Sequence, residues 1–357
     1  MNLTPQWNSR AASGLDAGAC CRRRRRGGSG WRHRCAKLKW LQQNPLVYDR
    51  ESGTLTGAGM IDRIAVLARQ AGSPFTRPFG YRGYGLGCKA VSAAVASRDI
   101  VVRLTADAAF AIPFADGDWS RLLNSRYDYE EEIEAFLRSA ADLNYMVVDC
   151  GTNFGYWSVL ASSRSFGAQT ALAIEASPQN AKRLEVNARL NGGRLRCLNA
   201  AILGRAEGFA RVTGSKHEAL ATYALTNEEQ GAVRIVSLDS LVAQAFIDPS
   251  IPRIVKLDVE GVEIEALKGA TNLLSGNAVV TCEEHGSDRS HGVIRHLLSA
   301  KSLKVYVFDP SLSRFVPVDG LDVLDRVKRY RWVGYNVFAT SSKLWQECLL
   351  STRWSYR

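Results

Sequence analysis

The sequence lacks several features that would place it in particular protein classes. No apolar run approaches the roughly 20 residues that cross a bilayer, and the N-terminus shows neither a hydrophobic signal core nor a small-residue cleavage site. None of the eight cysteines forms a CxxC pair, and Cys150, Cys197 and Cys282 lie in apolar strand patterns. Buried free thiols fit this distribution better than a disulfide or zinc framework. We therefore expect a cytoplasmic protein without a transmembrane segment, folded in a reducing compartment.

Positive charge is concentrated at the N-terminus. The net charge is +11, and residues 1–40 supply +9 of it, while the other 317 residues carry +2. This segment contains Arg22–Arg26 among Gly, Ser and Ala, so it has too little apolar surface to fold and is predicted to be a disordered basic tail. Attraction of the tail to nucleic acid or an anionic membrane would depend strongly on salt. No specific nucleic-acid binding is expected.

The rest of the chain divides into two predicted parts. Its 357 residues, 46% of them hydrophobic, suffice for roughly two domains. Residues 41–139 predict a small α+β extension. Its expected elements are a helix over 61–71, strands over 100–104 and 109–112 around a turn near Asp107, and helical spacing over 119–138.

From Asn144 onward, apolar strand patterns alternate with helical ones. This alternation predicts an α/β domain over 140–345, with a mostly parallel sheet covered on both faces, and a C-terminal tail over 346–357. The expected strands cover 145–150, 171–175, 195–201, 254–258, 278–283, 304–308 and 332–339, and the helices begin near Gly155, Pro178, Leu238, Gly261 and Asp288.

A glycine turn follows the first strand of this sheet. Residues 148–155, with Gly151 and Gly155, read as a strand end, a turn and a helix start, and the next strand ends in one acidic residue, Glu175. Backbone N–H groups of such a turn reach a ligand, and the helix N-terminus favours an anionic group. A carboxylate about 20 residues further on can accept hydrogen bonds from ribose hydroxyls. The pattern predicts a nucleoside-type cofactor.

Two cofactor classes are compatible with this turn. An NAD(P)-dependent oxidoreductase usually carries GxGxxG, which lets the backbone approach a pyrophosphate closely. Asn153 stands where the second glycine would be expected, which disfavours that approach. S-adenosylmethionine has no phosphate; its anion is a single carboxylate and its cation a sulfonium. The turn therefore favours S-adenosylmethionine, and the oxidoreductase is the alternative.

A second motif lies in the strand over 254–258. In Lys256-Leu257-Asp258-Val259-Glu260-Gly261, charged and apolar residues alternate, and the period of two predicts that Lys256, Asp258 and Glu260 share one side. Ligands of open α/β sheets bind just outside the carboxyl ends of the strands. Three charges in five positions of a buried strand are expensive without a ligand or partners. They are candidate active-site residues.

These motifs together resemble the FkbM family of S-adenosylmethionine-dependent methyltransferases. The matching stretches are residues 148–156, 174–178, 190–192, 199–202, 236–241, 256–261, 269–270 and 283–285, in the order of the family. The KxDxEG element is the most specific of them, because the glycine turn is shared by many methyltransferases. Cys150, Thr152 and the basic N-terminus depart from the family pattern without removing an expected polar contact.

The resemblance implies a Rossmann-like class I methyltransferase sheet whose last strand, here 332–339, is antiparallel. It implies that Glu175 binds the ribose of S-adenosylmethionine. The residues implied around the methionine portion are Asp149, Gly151, Asn153 and Gly155, and those implied near the adenine are Asn199 and Ala200. It also implies O-methylation of a hydroxyl on a sugar or secondary metabolite, so the partner is a small-molecule or glycan acceptor.

A hydroxyl acceptor must lose its proton during methyl transfer. His285 is the first choice of base, because imidazole titrates near neutrality and the residue follows an apolar strand at its carboxyl end. Glu284 and Asp258 are the alternatives. Several potential ligands, including Glu283, Asp288 and His291, could cluster there, but their spacing matches no zinc pattern and no metal is expected.

Aromatic residues precede the first strand of the sheet. Trp119, Tyr127 and Tyr129 could form a lid over the acceptor, because rings stack well on sugar or aromatic faces. The other interpretation is that they pack the extension onto the core.

Overall fold

The N-terminal part of the described chain forms a small sheet with two helices. In the computed structural model, the described residues are 45–79, 81–93, 95, 98–124, 127, 129–216, 219–284, 290–327 and 334–354, so the predicted tail and His285 lie outside them. The elements are β1 (Leu46–Asp49), β2 (Leu55–Thr56), α1 (Met60–Thr76), α2 (Tyr84–Ser92), β3 (Asp99–Thr105) and β4 (Ala108–Pro113). The strand order is β2-β1-β3-β4. The predicted helix and hairpin are confirmed.

The prediction of helical structure throughout 119–138 is wrong, because the structure has two separate elements there. A 3-10 turn covers Trp119–Leu123, and the helix α3 covers only Glu131–Ser139. The Asp116 carboxylate closes the first turn by accepting the N–H of Trp119 at 2.7 Å. Glu130 has a φ of 49°, in the left-handed region, so the chain changes direction before α3 begins.

The main sheet is built by alternating strands and helices. Its elements, with those of a second small sheet, are β5 (Met146–Cys150), α4 (Tyr156–Ala161), β6 (Thr170–Glu175), α5 (Pro178–Leu190), β7 (Leu195–Asn199), β8 (Ala201–Ile202), β9 (Phe209–Lys216), β10 (Ala219–Leu225), β11 (Val233–Val236), α6 (Leu238–Ala243), β12 (Arg253–Leu257), α7 (Glu263–Lys268), α8 (Thr271–Ser275), β13 (Ala278–Glu284), α9 (Gly292–Ser299), β14 (Lys304–Asp309), β15 (Arg314–Pro317), α10 (Asp322–Val327), β16 (Tyr335–Thr340) and α11 (Lys343–Ser351).

The strand order of the main sheet is β15-β14-β16-β13-β12-β5-β6-β7. Strands β13, β12, β5, β6 and β7 are parallel, and β16 runs antiparallel between β13 and β14. A dinucleotide-binding sheet has only parallel strands in these positions. The arrangement is a Rossmann-like class I methyltransferase sheet, as the resemblance implied, with β16 as the predicted antiparallel strand.

The predicted strand over 195–201 is two strands in different sheets. Strand β7 ends at Asn199 in the main sheet, and β8 pairs with β11 in a sheet of order β10-β9-β11-β8. The Asn199 amide donates to the carbonyl oxygens of Glu175 and Ala176 at 2.7 and 3.1 Å. These bonds cap the end of β6 and mark the point at which the chain leaves the main sheet.

Helices cover both faces of the main sheet. One core contains side chains from α3, α4, α5 and α11 together with the extension, and the other contains those from α6 to α10. Asn187 on α5 and Asn191 just after it accept the backbone N–H groups of Ala111 and Ala109 at 2.7 and 2.9 Å, which ties β4 to the domain. Helix α11 crosses the boundary expected at residue 345, and Trp345 is fully buried.

The cysteines and helices of the described residues have two properties that bear on the composition. The cysteines within the described ranges, at positions 88, 150, 197, 282 and 348, are all free, and all but Cys197 are buried. No helix in the described part of the chain has the length and apolarity that crossing a bilayer takes.

Candidate functional site

The glycine turn lies directly against the end of β12. Gly151 has a φ of 75°, and a Cβ atom on it would lie 1.6 Å from the carbonyl oxygen of Asp258. Before the turn, the Asp149 carboxylate is buried and accepts the hydroxyls of Thr152 and Ser158 at 2.6 and 2.7 Å. The two sequence motifs therefore meet at the carboxyl ends of neighbouring strands.

Asn153 occupies the place of the missing glycine in a glycine-like conformation. Its φ is 54°, in the left-handed region that asparagine tolerates better than most residues. Its N–H donates to Glu175 Oε2 at 2.8 Å, and its Oδ1 accepts Trp119 Nε1 at 3.3 Å. The side chain therefore fills the space that a second glycine would leave open for a pyrophosphate.

Glu175 ends β6 as a buried carboxylate. Its Oε1 accepts the N–H of Ser177 at 2.7 Å, which leaves both oxygens fixed by backbone donors. The pKa of Glu175 is raised to about 7, mainly by burial; the N–H groups of Ser177 and Asn153 lower it, and the charges of Asp149 and Asp258 add to the increase. A ligand that donates hydrogen bonds to Glu175 would favour its ionised form.

An open cleft lies above these strand ends. It encloses about 850 Å³, including solvent at its mouth. The predicted site residues that line it are Asp149, Gly151, Asn153, Glu175, Ala200, Lys256, Asp258, Glu260, Trp119 and Tyr129. Val212 of β9 and Thr222 of β10 line it from the second sheet. The tertiary structure thus brings together most of the residues that the sequence singled out.

Four predicted site residues lie elsewhere among the described residues. Gly155 packs against α5, where a Cβ atom would lie 2.5 Å from Leu184 Cδ1. Asn199 is engaged with backbone carbonyls. Tyr127 is buried, and its hydroxyl accepts Arg121 Nη1 at 3.3 Å. Glu284 is also buried, under helix α9.

Lys256 is the centre of a buried charge network. Its Nζ lies 2.7 Å from Asp258 Oδ2 and 3.7 Å from Glu130 Oε1. Burial alone would lower the pKa of Lys256, but the charges of Asp258 and Glu130 outweigh it, so the pKa lies above its usual value. Lys256 is therefore a permanent cation that fixes two carboxylates.

Glu130 joins this network from the extension. Its Oε2 accepts Trp157 Nε1 at 2.5 Å, and its Oε1 accepts Asn336 Nδ2 at 2.9 Å. The sequence analysis predicted only helical spacing over 119–138, so it missed this residue. No local signal identifies it, because all three of its partners are distant in sequence.

Glu260 reaches the cleft by a route that differs from the prediction. Strand β12 ends at Leu257, and Glu260 has a φ of 57°. The Glu263 carboxylate accepts the N–H groups of Val259 and Gly261 at 3.2 and 3.1 Å, which closes this turn. The alternation therefore holds for Lys256 and Asp258 and ends before Glu260.

The two glutamates at the end of β13 point to opposite faces. Glu284 Oε2 accepts the N–H of Ile294 at 2.9 Å near the start of α9. Glu283 faces the charge network, and burial together with the charges of Asp258 and Glu130 raises its pKa to about 8. In the described ranges, no three His, Cys, Asp or Glu residues are arranged to hold a metal ion.

The cleft wall contributed by β9 and β10 was also absent from the prediction. The signal was available, because Ala210 and Val212 alternate with Arg211 and Thr213 in a period of two. Strand β10 pairs antiparallel with β9 and brings Thr222 opposite Val212. This hairpin contributes Val212 and Thr222 to the cleft lining.

The comparison with family models agrees with this geometry. Residues 149–306 match the model of the methyltransferase FkbM domain. The chain carries an FkbM methyltransferase domain. Its matched range begins at the buried aspartate before the glycine turn and includes the whole KLDVEG motif. The match spans less than half of the 357 residues, and it supports methyltransferase activity.

Individual proteins similar to this FkbM domain include one curated relative. The hexuronic acid methyltransferase AglP of Haloferax volcanii is 28% identical over 172 residues, which cover 48% of this chain and 69% of the relative. A methyltransferase FkbM structure from Methylobacillus flagellatus KT is 16% identical with a TM-score of 0.35, and the match covers 55% of this chain and 43% of that one. An O-methyltransferase structure from Thermotoga maritima is 13% identical with a TM-score of 0.33, covering 67% and 76%.

The lining of the cleft is chemically compatible with S-adenosylmethionine. Gly151 lines the cleft, where its lack of a side chain permits the close approach of the Asp258 carbonyl oxygen, and Glu175 offers carboxylate oxygens at the end of the second strand. Asp118, Asp149, Asp258 and Glu260 also line the cleft, and Lys256 is the one basic residue among its described lining. An excess of carboxylates fits a ligand that carries an ammonium and a sulfonium.

Proposed function

We propose that this protein transfers a methyl group from S-adenosylmethionine to a hydroxyl of a sugar or secondary metabolite. The observation that carries the proposal is Glu175, a buried carboxylate that is held by two backbone donors and lines the cleft together with Gly151. In this position it accepts the ribose hydroxyls, while Asp149 attracts the methionyl ammonium. The family match and the sheet topology support the same cofactor.

The bound cofactor supplies a methyl group already activated by a sulfonium. The chain's contribution is to hold two reactants in line, and oriented reactions gain roughly 7–11 kcal/mol from such positioning. Trp119 and Tyr129 line the cleft with their rings 5.4 Å apart, edge to face. They form the wall against which an acceptor ring packs.

The acceptor proton needs a base near the cleft. His285 is the proposed base, since imidazole titrates near neutrality and the residue directly follows Glu284 at the carboxyl end of β13. Asp258 lines the cleft and is the second candidate, with Lys256 and Glu260 beside it. The pH dependence of the rate distinguishes the two candidates. If His285 is the base, its substitution removes the fall in rate below about pH 6.5; if Asp258 is the base, substitution of His285 leaves that dependence unchanged.

The experiment is calorimetry with S-adenosylmethionine and S-adenosylhomocysteine, followed by an acceptor screen. Hexuronic acid glycosides come first in the screen, because the curated relative methylates a hexuronic acid. Alkaline treatment of the product distinguishes a methyl ether, which survives, from a methyl ester, which does not. Absence of any calorimetric binding contradicts the proposal, and an ester product contradicts the hydroxyl acceptor alone.

A further inference from the structure

Helix α1 exposes an apolar face to solvent. The large apolar side chains on this face, which we call the α1 surface, are Met60, Ile61, Ile64, Leu67 and Phe75. Each of them is at least 59% exposed, and Phe79 in the turn after the helix is 66% exposed. Met60, Ile64 and Leu67 recur at intervals of four and three, Ile61 lies three residues before Ile64, and Phe75 follows Leu67 after eight residues, so all five lie along one side of the helix. A monomeric soluble protein rarely exposes such a contiguous patch.

The opposite face of α1 fixes this orientation with polar contacts. Arg69 is 2% exposed, lies over the Phe114 ring at 3.9 Å and donates to the carbonyl oxygen of Cys88 at 3.4 Å. Gln70 Nε2 donates to the carbonyl oxygen of Leu123 at 2.7 Å. Rolling the helix to bury its apolar stripe would break these buried hydrogen bonds. The contacts of the opposite face therefore keep the apolar stripe exposed to solvent.

The charges around the α1 surface are almost all positive. Between residues 57 and 93, Asp62 is the only acidic residue. Its carboxylate accepts the N–H of Gly59 at 2.8 Å and pairs with Arg98, so its charge is used at the helix start. The basic residues of this stretch that are exposed are Arg63, Arg77, Arg82 and Lys89. An apolar stripe flanked by cations complements a surface that is apolar within and anionic at its rim.

We propose that the α1 surface binds the surface of an anionic lipid bilayer. Helices that lie in the bilayer interface combine an apolar stripe with flanking Lys or Arg, and their binding grows with apolar area and with anionic lipid. The Ile64 and Leu67 side chains enter the acyl boundary, while Arg63 and Arg77 contact headgroup phosphates. This interaction is independent of methyl transfer and brings the protein to acceptors held at a membrane.

The test is vesicle cosedimentation of the full chain. The vesicles are phosphatidylcholine alone or phosphatidylcholine with one quarter phosphatidylglycerol, at physiological salt. The variant Ile64→Ser/Leu67→Ser leaves every basic residue in place, including the Arg-rich N-terminus. Its partition coefficient on the anionic vesicles is expected to fall at least tenfold. The matched control, Leu350→Ser, changes an exposed leucine of α11 and is expected to bind like wild type.

Three results would overturn the proposal. Unchanged binding of Ile64→Ser/Leu67→Ser would assign vesicle binding to the N-terminal residues. Equal binding of wild type to both kinds of vesicle would remove the role of the cations. The third would come from sedimentation equilibrium without vesicles. A wild-type dimer that is lost in Ile64→Ser/Leu67→Ser would show that the α1 surface binds a second copy of the chain. Circular dichroism and cofactor binding of the variant show that its fold is intact.

Discussion

Gly151 and Asp258 touch through their backbones. A Cβ atom on Gly151 would lie 1.6 Å from the Asp258 carbonyl oxygen, and the N–H of Asp258 donates to the carbonyl oxygen of Cys150 at 3.0 Å. The contact joins two motifs that are more than 100 residues apart. It holds the ends of β5 and β12 at the spacing that opens the cleft.

Gly151→Ala is expected to abolish cofactor binding and to destabilise the fold. Two effects act together, since a left-handed φ strains alanine and the Cβ displaces Asp258. Gly192→Ala is the matched control, because Gly192 has a φ of 71° with no atom within 4 Å of its Cβ position. We expect Gly192→Ala to cost about 1 kcal/mol from backbone strain alone, measured by urea unfolding. Equal losses in the two variants would contradict the close contact.

Affinity for S-adenosylhomocysteine is expected to rise with pH through the titration of Glu175. Its pKa is about 7, so the ionised fraction grows from about one tenth at pH 6 to about nine tenths at pH 8. Since the ionised carboxylate accepts ribose hydroxyls much more strongly than the protonated carboxyl group does, Kd should fall by up to roughly tenfold over this range. Isothermal titration calorimetry with S-adenosylhomocysteine at each pH measures this Kd. Glu175→Gln should bind more weakly at pH 8 and lose this dependence; a wild-type Kd that does not vary with pH would contradict the assignment.

Glu130→Ala is expected to destabilise the protein, although Glu130 lies outside the matched domain. The substitution removes the acceptor of Trp157 Nε1, and a buried donor left unpaired costs about 1–3 kcal/mol, whereas Asn336 Nδ2 keeps its bond to Glu132 Oε1 at 2.7 Å. Urea unfolding followed by tryptophan fluorescence measures the loss. The control is Glu134→Ala, which removes a partly exposed ion pair with Arg138 and should cost about 0.5 kcal/mol or less. Similar losses in the two variants would place Glu130 outside the buried network.

Glu283→Gln is expected to stabilise the protein at high pH. The carboxyl titrates at 4.5 when unperturbed and at about 8 in the fold, so the folded state holds a proton that the unfolded state has lost. Stability from this group is therefore fully present below pH 4.5 and declines as pH rises through 8. The Tm of the variant should exceed that of wild type at pH 9 and match it near pH 4.5. Glu347→Gln, at an exposed position of α11, should show no such trend.

Local features of the fold were predicted well because their causes are local. The hairpin turn near Asp107 and the start of α5 at Pro178 follow from turn and capping chemistry within a few residues. The continuous helix over 119–138 failed for the opposite reason. The left-handed conformation of Glu130 accompanies contacts with Trp157, Asn336 and Lys256, which helical spacing cannot register.

The candidate site shows the same division. The sequence by itself determined the glycine turn, the acidic end of β6 and the alternation of Lys256 with Asp258, because period and residue type encode them. The tertiary structure alone decided that Glu130, Glu283 and the β9–β10 hairpin belong beside them, while Glu284 turns away under α9. Strand register and sheet order bring these groups together. Those depend on the packing of two cores, which no short stretch of sequence contains.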